Sequence, residues 1–199
     1  MKDRLRPLWN FDDLDASERS FREQLARETT DEGRAEVLTQ LARVEGLRGR
    51  FEEGEKLLRE AEALLGSHPR IDLERGRLLN SGGEPERALP LFVSAFESSE
   101  GFLKADAAHM AAIAAPDREG AETWTQRGLA VGDADPDAAY WAGPLLNNLG
   151  WHYHDAGDFE RALDAFERAL AARERDPQNA AAIQHARDAV DEARRALER

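Results

Sequence analysis

The 199-residue sequence has no cysteine, which excludes disulfides, thiolate nucleophiles and sulfur-ligated metal together. No uncharged apolar run reaches the roughly 18 residues that a membrane-crossing helix needs, and the first ten residues, with Lys2, Arg4 and Arg6 among them, hold no signal-peptide core. A soluble, cytoplasmic chain is expected. Positive charge is also scarce: 27 Lys and Arg stand against 40 Asp and Glu, a formal charge of −13 that repels phosphate backbones and makes nucleic-acid binding a poor expectation. There is no glycine-rich phosphate loop and no serine elbow. His152 and His154 flank Tyr153 and point to different sides of a helix, while His68, His109 and His185 are isolated. Neither a metal site nor a cofactor nor an enzymatic activity is expected.

What is present is helical periodicity. A hydrophobic fraction of 41% is too high for a disordered chain, and the clearest pattern runs from Leu149 to Ala169. Leu149, Gly150 and Tyr153 fall at one-turn spacings, Ala156-Gly157-Asp158 interrupts, and Ala162, Phe166, Ala169 and Leu170 resume the period. Gly150 and Ala162 are small where two helices must approach, and Tyr153 and Phe166 supply bulk beside them. One hairpin of this size cannot bury its own apolar stripe, so copies are expected.

They are found. The residues Gly54, Ala88, Ala121 and Ala162 each open a return helix, with separations of 34, 33 and 41 by subtraction. The same frame aligns Leu58, Phe92, Thr125 and Phe166, then Ala61, Ala95, Gly128 and Ala169. The surplus of about seven residues in the last interval falls around Asp133 to Pro144. Ahead of the repeats, residues 1–13 read as an extended arm carrying Pro7, Trp9 and Phe11, and a first helix follows with Leu14, Phe21 and Leu25. Trp9 is either a packing anchor or a partner contact. Pro90 predicts a slight kink or a late helix start, and Pro144 a kink or a first turn. Residues 179–198 form one amphipathic helix, suited to cap the open end.

The hairpin residues Leu146, Leu149-Gly150, Tyr153, Gly157-Asp158-Phe159, Ala162, Phe166 and Ala169, with Pro177 as a late closing proline, resemble the tetratricopeptide repeat family. Leu41-Ala42, Gly49-Arg50-Phe51, Gly54, Leu58 and Ala61 match more loosely, as do Gly76, Leu79, Gly83, Ala88, Phe92 and Ala95; the third copy keeps little beyond Ala121. The resemblance implies an all-α, right-handed superhelical solenoid of antiparallel helix pairs. Residues 1–33 are then the arm and first helix, 34–178 about four hairpins, and 179–199 the capping helix.

The resemblance also implies a protein- or peptide-binding scaffold or adaptor using a concave face lined by the first helix of each pair. The outward positions there give the candidate contacts Arg43, Arg70, Arg77, Asn80, Met110, Asn147, Trp151 and His154. A peptide carboxylate beside the arginines and an apolar side chain against Trp151 and Met110 are expected. Local ion pairing of the arginines, and burial of Trp151 against the terminal helix, are the alternatives. A homodimer through Trp9, Phe11, Phe102 or Trp141 can coexist with scaffolding, and a peptide-sensing regulatory module is a further class.

Overall fold

The computed structural model describes residues 4–175 and 180–198. Pro177 and Asn179 lie outside the described residues. All regular structure among the described residues is helical, and the chain divides into two compact units, Met1–Ser99 and Glu100–Arg199.

In the first unit, α1 (Leu14–Arg27) precedes two antiparallel hairpins, α2 (Asp31–Leu47) with α3 (Phe51–Leu65), and α4 (Pro69–Ser81) with α5 (Pro85–Glu97). Short polar side chains set the starts. Asp13 accepts from the Ala16 amide, Thr30 from Gly33 and the His68 ring from Arg70, each satisfying an amide that the first turn leaves unpaired. Pro85 sits at the first position of α5, where no amide is needed. The helix does not begin late: Pro90 lies inside it, on its exposed side, where water can reach the carbonyl that has lost its partner.

In the second unit, α6 (Gly101–Ala114) pairs with α7 (Arg118–Ala134), and α8 (Ala142–Asp155) with α9 (Phe159–Glu174); α10 (Ala180–Leu197) packs on α9. Pro144 falls in the first turn of α8. The apolar face of α10, Ala189, Val190 and Ala193, closes over Ala162 and Phe166.

Three hairpin turns share one device. Gly49, Gly83 and Gly157 have φ of 73°, 84° and 76°, the left-handed conformation that glycine adopts without a Cβ penalty. The next residue's amide reaches back over the turn: Arg50 to the Glu45 carbonyl, Glu84 to Leu79 and Asp158 to Tyr153, each at 2.9 Å. These are the six-residue closures that end helices with a glycine. Each glycine precedes its frame residue, Gly54, Ala88 or Ala162, by five positions, and five before Ala121 stands Pro116, which has no amide to donate. The third hairpin therefore turns differently, and Asp117 starts α7 by accepting from the Gly120 amide at 2.8 Å.

The aligned frame is the core. Leu58, Phe92, Thr125 and Phe166 are all at most 1% exposed, and Ala61, Ala95 and Ala169 are fully buried. Gly76 and Gly150 each face an aromatic ring sixteen residues later, Phe92 and Phe166; a Cβ at Gly76 would come within 2.5–3.0 Å of the Phe92 ring. In the first hairpin the same spacing holds Ala42 and Leu58, a larger residue over a smaller one.

Two expectations are corrected here. Residues 1–13 are not simply extended: Arg6–Leu8 form a 3-10 turn, and Leu5 is buried with Phe21, Val37, Leu41 and Val44. Trp141 is not an exposed aromatic available for a dimer. The surplus residues before α8 form a second 3-10 turn, Ala139–Trp141, which places Trp141, 6% exposed, among Ala105, Ala112, Ala138 and Leu145. Helix α6 buries six alanines and no large apolar side chain, so the insertion supplies the bulk that this hairpin lacks.

Ion pairs join α1 to α2. Arg48 donates to Glu18 at 2.5 Å, contacts Asp15, and reaches Glu45 at 3.1 Å. The hydrogen bond from Arg48, with a second from Arg22, holds the Glu18 carboxyl below its ordinary value near 4.5. A depressed carboxylate contributes stability above the unfolded-state pKa and loses it as pH falls through the folded one. Thermal unfolding followed from pH 7 to below pH 4 is therefore expected to show an acid-side loss that Glu18→Gln reduces. An unchanged acid limb in Glu18→Gln would remove Glu18 as a cause.

Candidate functional site

In the first unit the outward face of α2 carries Glu36, Gln40 and Arg43, one turn apart, and the arm lies on all three. Arg4 donates to Glu36 at 2.5 Å and to Glu28 at 2.7 Å, and the Trp9 indole donates to Gln40 at 3.0 Å. The Arg43 guanidinium stands 5.3 Å from the Trp9 ring and 5.7 Å from Phe11, which stacks on Trp9 at 4.7 Å. Trp9 is thus a packing anchor, and Arg43 is held by aromatic faces. Arg70 of α4 pairs with Glu36 at 3.0 Å. Arg77 is 8% exposed and pairs with Glu74, itself 2% exposed, at 2.6 Å. Asn80 is half-buried near the end of α4. The three arginines therefore occupy three different environments, each with a partner.

In the second unit α6 and α8 lie side by side, joined by a hydrogen bond between the Asn148 amide and the His109 ring at 3.0 Å. One side of α8 is scaffold: Leu145, Leu146, Leu149 and Gly150 are buried. Asn147, Trp151 and His154 fall on another side, at spacings of four and three. Asn147 and His154 are half-buried, and Trp151 is 38% exposed. α10 leaves Trp151 uncovered. The indole stands edge-on to Phe166 at 5.0 Å and to His154 at 5.3 Å, so its orientation is fixed by the core beneath it. On α6, Met110 is half-buried and Ile113 is 38% exposed. A polarizable thioether, a branched apolar group, an indole, an amide and an imidazole are thereby displayed on one unit.

The Tyr153 hydroxyl, on the neighbouring side of α8, is engaged with Glu122 of α7; burial first, and then that carboxylate, push its pKa above the usual tyrosine value. Among the described residues no group of three or more His, Asp or Glu side chains converges as metal ligands would, and no helix is long and apolar enough to cross a membrane.

Comparison with known proteins agrees with this architecture. The profile of the tetratricopeptide repeat matches residues 143–176, the span of α8 and α9. No curated protein matches the chain by sequence. Among solved structures, BtubC (BKLC) from P. vanneervenii is similar, with a TM-score of 0.63 and 22% identity over 99% of this chain and 92% of that one. MamA is similar with a TM-score of 0.55 and 15% identity over 89% of this chain and all but 1% of that one, which covers 99%. At such identities the likeness speaks for the fold. Tetratricopeptide repeats generally mediate protein–protein interaction and scaffolding. Residues 143–176 thus carry a tetratricopeptide repeat, at the best-formed of several helical hairpins set on a common frame.

Proposed function

We propose that the chain is a protein- or peptide-binding scaffold whose repeats, residues 34–178, carry recognition contacts on each unit, with the arm and first helix (1–33) before them in sequence and the capping helix (179–199) after. The observation that carries this reading is Trp151: an indole 38% exposed on the helix whose other side is buried scaffold, and pinned by Phe166. A rigid aromatic set beside amide and imidazole groups is the composition of a binding anchor, because it offers contact area at small entropic cost. Met110, Asn147 and His154 complete that surface on the second unit. On the first unit Asn80, Arg43 and Arg70 are the proposed contacts, and Arg77 supports them through its pairing with Glu74. No cofactor enters this reading, and the acidic balance favours proteins over nucleic acids as partners.

The test is selection of peptides against the full chain from a displayed library, followed by titration calorimetry with Trp151→Ala and Met110→Ala. Trp151→Ala is expected to weaken a selected peptide by tenfold or more, about 1.4 kcal/mol, with the unfolding midpoint recorded alongside. Affinities unchanged in both variants, with wild-type circular dichroism, would overturn this surface.

A further inference from the structure

The second unit holds one arginine whose surroundings differ from the rest. Arg48, Arg70, Arg75 and Arg77 are half-buried or buried and each meets a carboxylate, while Arg43 and Arg127 lie over aromatic rings. Arg173, in the last turn of α9, is half-buried and has no acid partner among the described residues, in a sequence that contains 40 acids. Its stem lies against the start of α8 at Gly143, where a Cβ would stand 2.9 Å from Cγ and 3.4 Å from Nε. The absence of a side chain at Gly143 is what seats it. The Nε is fully buried with no hydrogen-bond partner, so it does not bond the last carbonyls of the helix. Two residues before Gly143, the buried Trp141 indole N–H is likewise without an acceptor. Burial pulls the Arg173 pKa below the ordinary arginine value, and the one titratable group opposing that pull is the Tyr140 phenol.

A guanidinium that has lost hydration and meets no counter-charge among the described residues is poised for an anion from outside. Its Nε is covered, which leaves the two terminal amines to meet a ligand. Their parallel N–H bonds match the two oxygens of a carboxylate, and the pinned stem reduces the entropy lost on binding. We propose that Arg173 is a carboxylate-binding anchor on the second unit, taking either the terminal carboxylate of a partner peptide or an Asp or Glu side chain. This deepens the scaffold reading and rests on it.

The experiment follows the Arg173 Nε–Hε and Trp141 indole resonances of the full chain by NMR at constant ionic strength. Three probes are titrated: acetyl-trialanine with a free terminal carboxylate, its terminal amide, and acetyl-Ala-Asp-Ala amide. A saturable shift with one or both carboxylate peptides, with Kd on the order of 1 mM as suits a single anchor, and none with the trialanine amide, is expected. The responding probe tells a chain terminus from an acidic side chain. Arg173→Gln should abolish the response, while Arg175→Gln, at an exposed neighbour, should keep it. No saturable shift in the wild type, an equal response to the amide, or persistence in Arg173→Gln overturns the proposal. Failure here is separable from failure of the scaffold reading: a selected peptide that depends on Trp151 and ignores Arg173→Gln sinks the carboxylate anchor alone.

Discussion

Replacing Phe166 with alanine is expected to lower the unfolding free energy by about 3–5 kcal/mol, the range for emptying a fully buried aromatic site. The ring is 0% exposed, enclosed by Ala162, Ala189, Val190 and Ala193, and faced by Gly150, so its removal opens contact with α8, α9 and α10 together. Urea unfolding followed by far-ultraviolet circular dichroism checks it, and a loss below about 1 kcal/mol would mean that the site collapses at little cost. The Gly150 side of the contact gives a sharper test. A Cβ built there runs into the Phe166 ring, so Gly150→Ala alone is expected to destabilise by about 1–3 kcal/mol through overpacking. The first hairpin uses Ala42 over Leu58 at the same sixteen-residue spacing, both fully buried. Combining Gly150→Ala with Phe166→Leu imports that solution and is expected to recover at least about 1 kcal/mol relative to the sum of the single changes. Strict additivity would show that the two positions do not share one packing problem.

That pair also marks what sequence alone could reveal. The glycine–aromatic contact was legible because both partners lie on a helical period and recur at Gly76 and Phe92. The turn glycines were legible for a related reason: a backbone that needs positive φ leaves few choices, and Gly49, Gly83 and Gly157 mark it at one offset. Trp141 was read wrongly because it belongs to no period. It enters the core from an insertion, and only the count of small residues on α6 hints that bulk must come from elsewhere. The arm was opaque in the same way. Trp9, Phe11 and Arg4 have no spacing relation to Glu36, Gln40 and Arg43, and their contacts follow from where a non-periodic segment can lie once α1 and α2 have packed. Of the candidate contacts, α8 periodicity indicated which side Trp151 faces. Whether an arginine on such a helix meets solvent or a neighbour's carboxylate depends on tertiary pairing, which the helical wheel does not contain.

Arg77 shows how large that difference is. Arg77→Ala is expected to cost about 3–5 kcal/mol, because it leaves the Glu74 carboxylate, 2% exposed, without its cation. Arg77→Glu should be worse, placing two buried acids where one was neutralised, so loss of binding in that variant would report unfolding rather than recognition. The informative change replaces the pair. Glu74 Oε2 has no hydrogen-bond partner even in the native arrangement, so the ion pair is incompletely satisfied. Glu74→Leu with Arg77→Met removes both charges of this pair and roughly keeps the volume, and it is expected to recover at least about 1 kcal/mol of what Arg77→Ala loses. Denaturant midpoints of the two single variants and the double variant measure this, and a double variant as unstable as Arg77→Ala would show that the charges do more than neutralise each other. The same double variant separates framework from contact. If Arg77 acts only through Glu74, the double variant keeps the affinity of a selected peptide while Arg77→Ala lowers it together with stability; if the guanidinium itself touches the ligand, affinity falls in the double variant although the fold is intact.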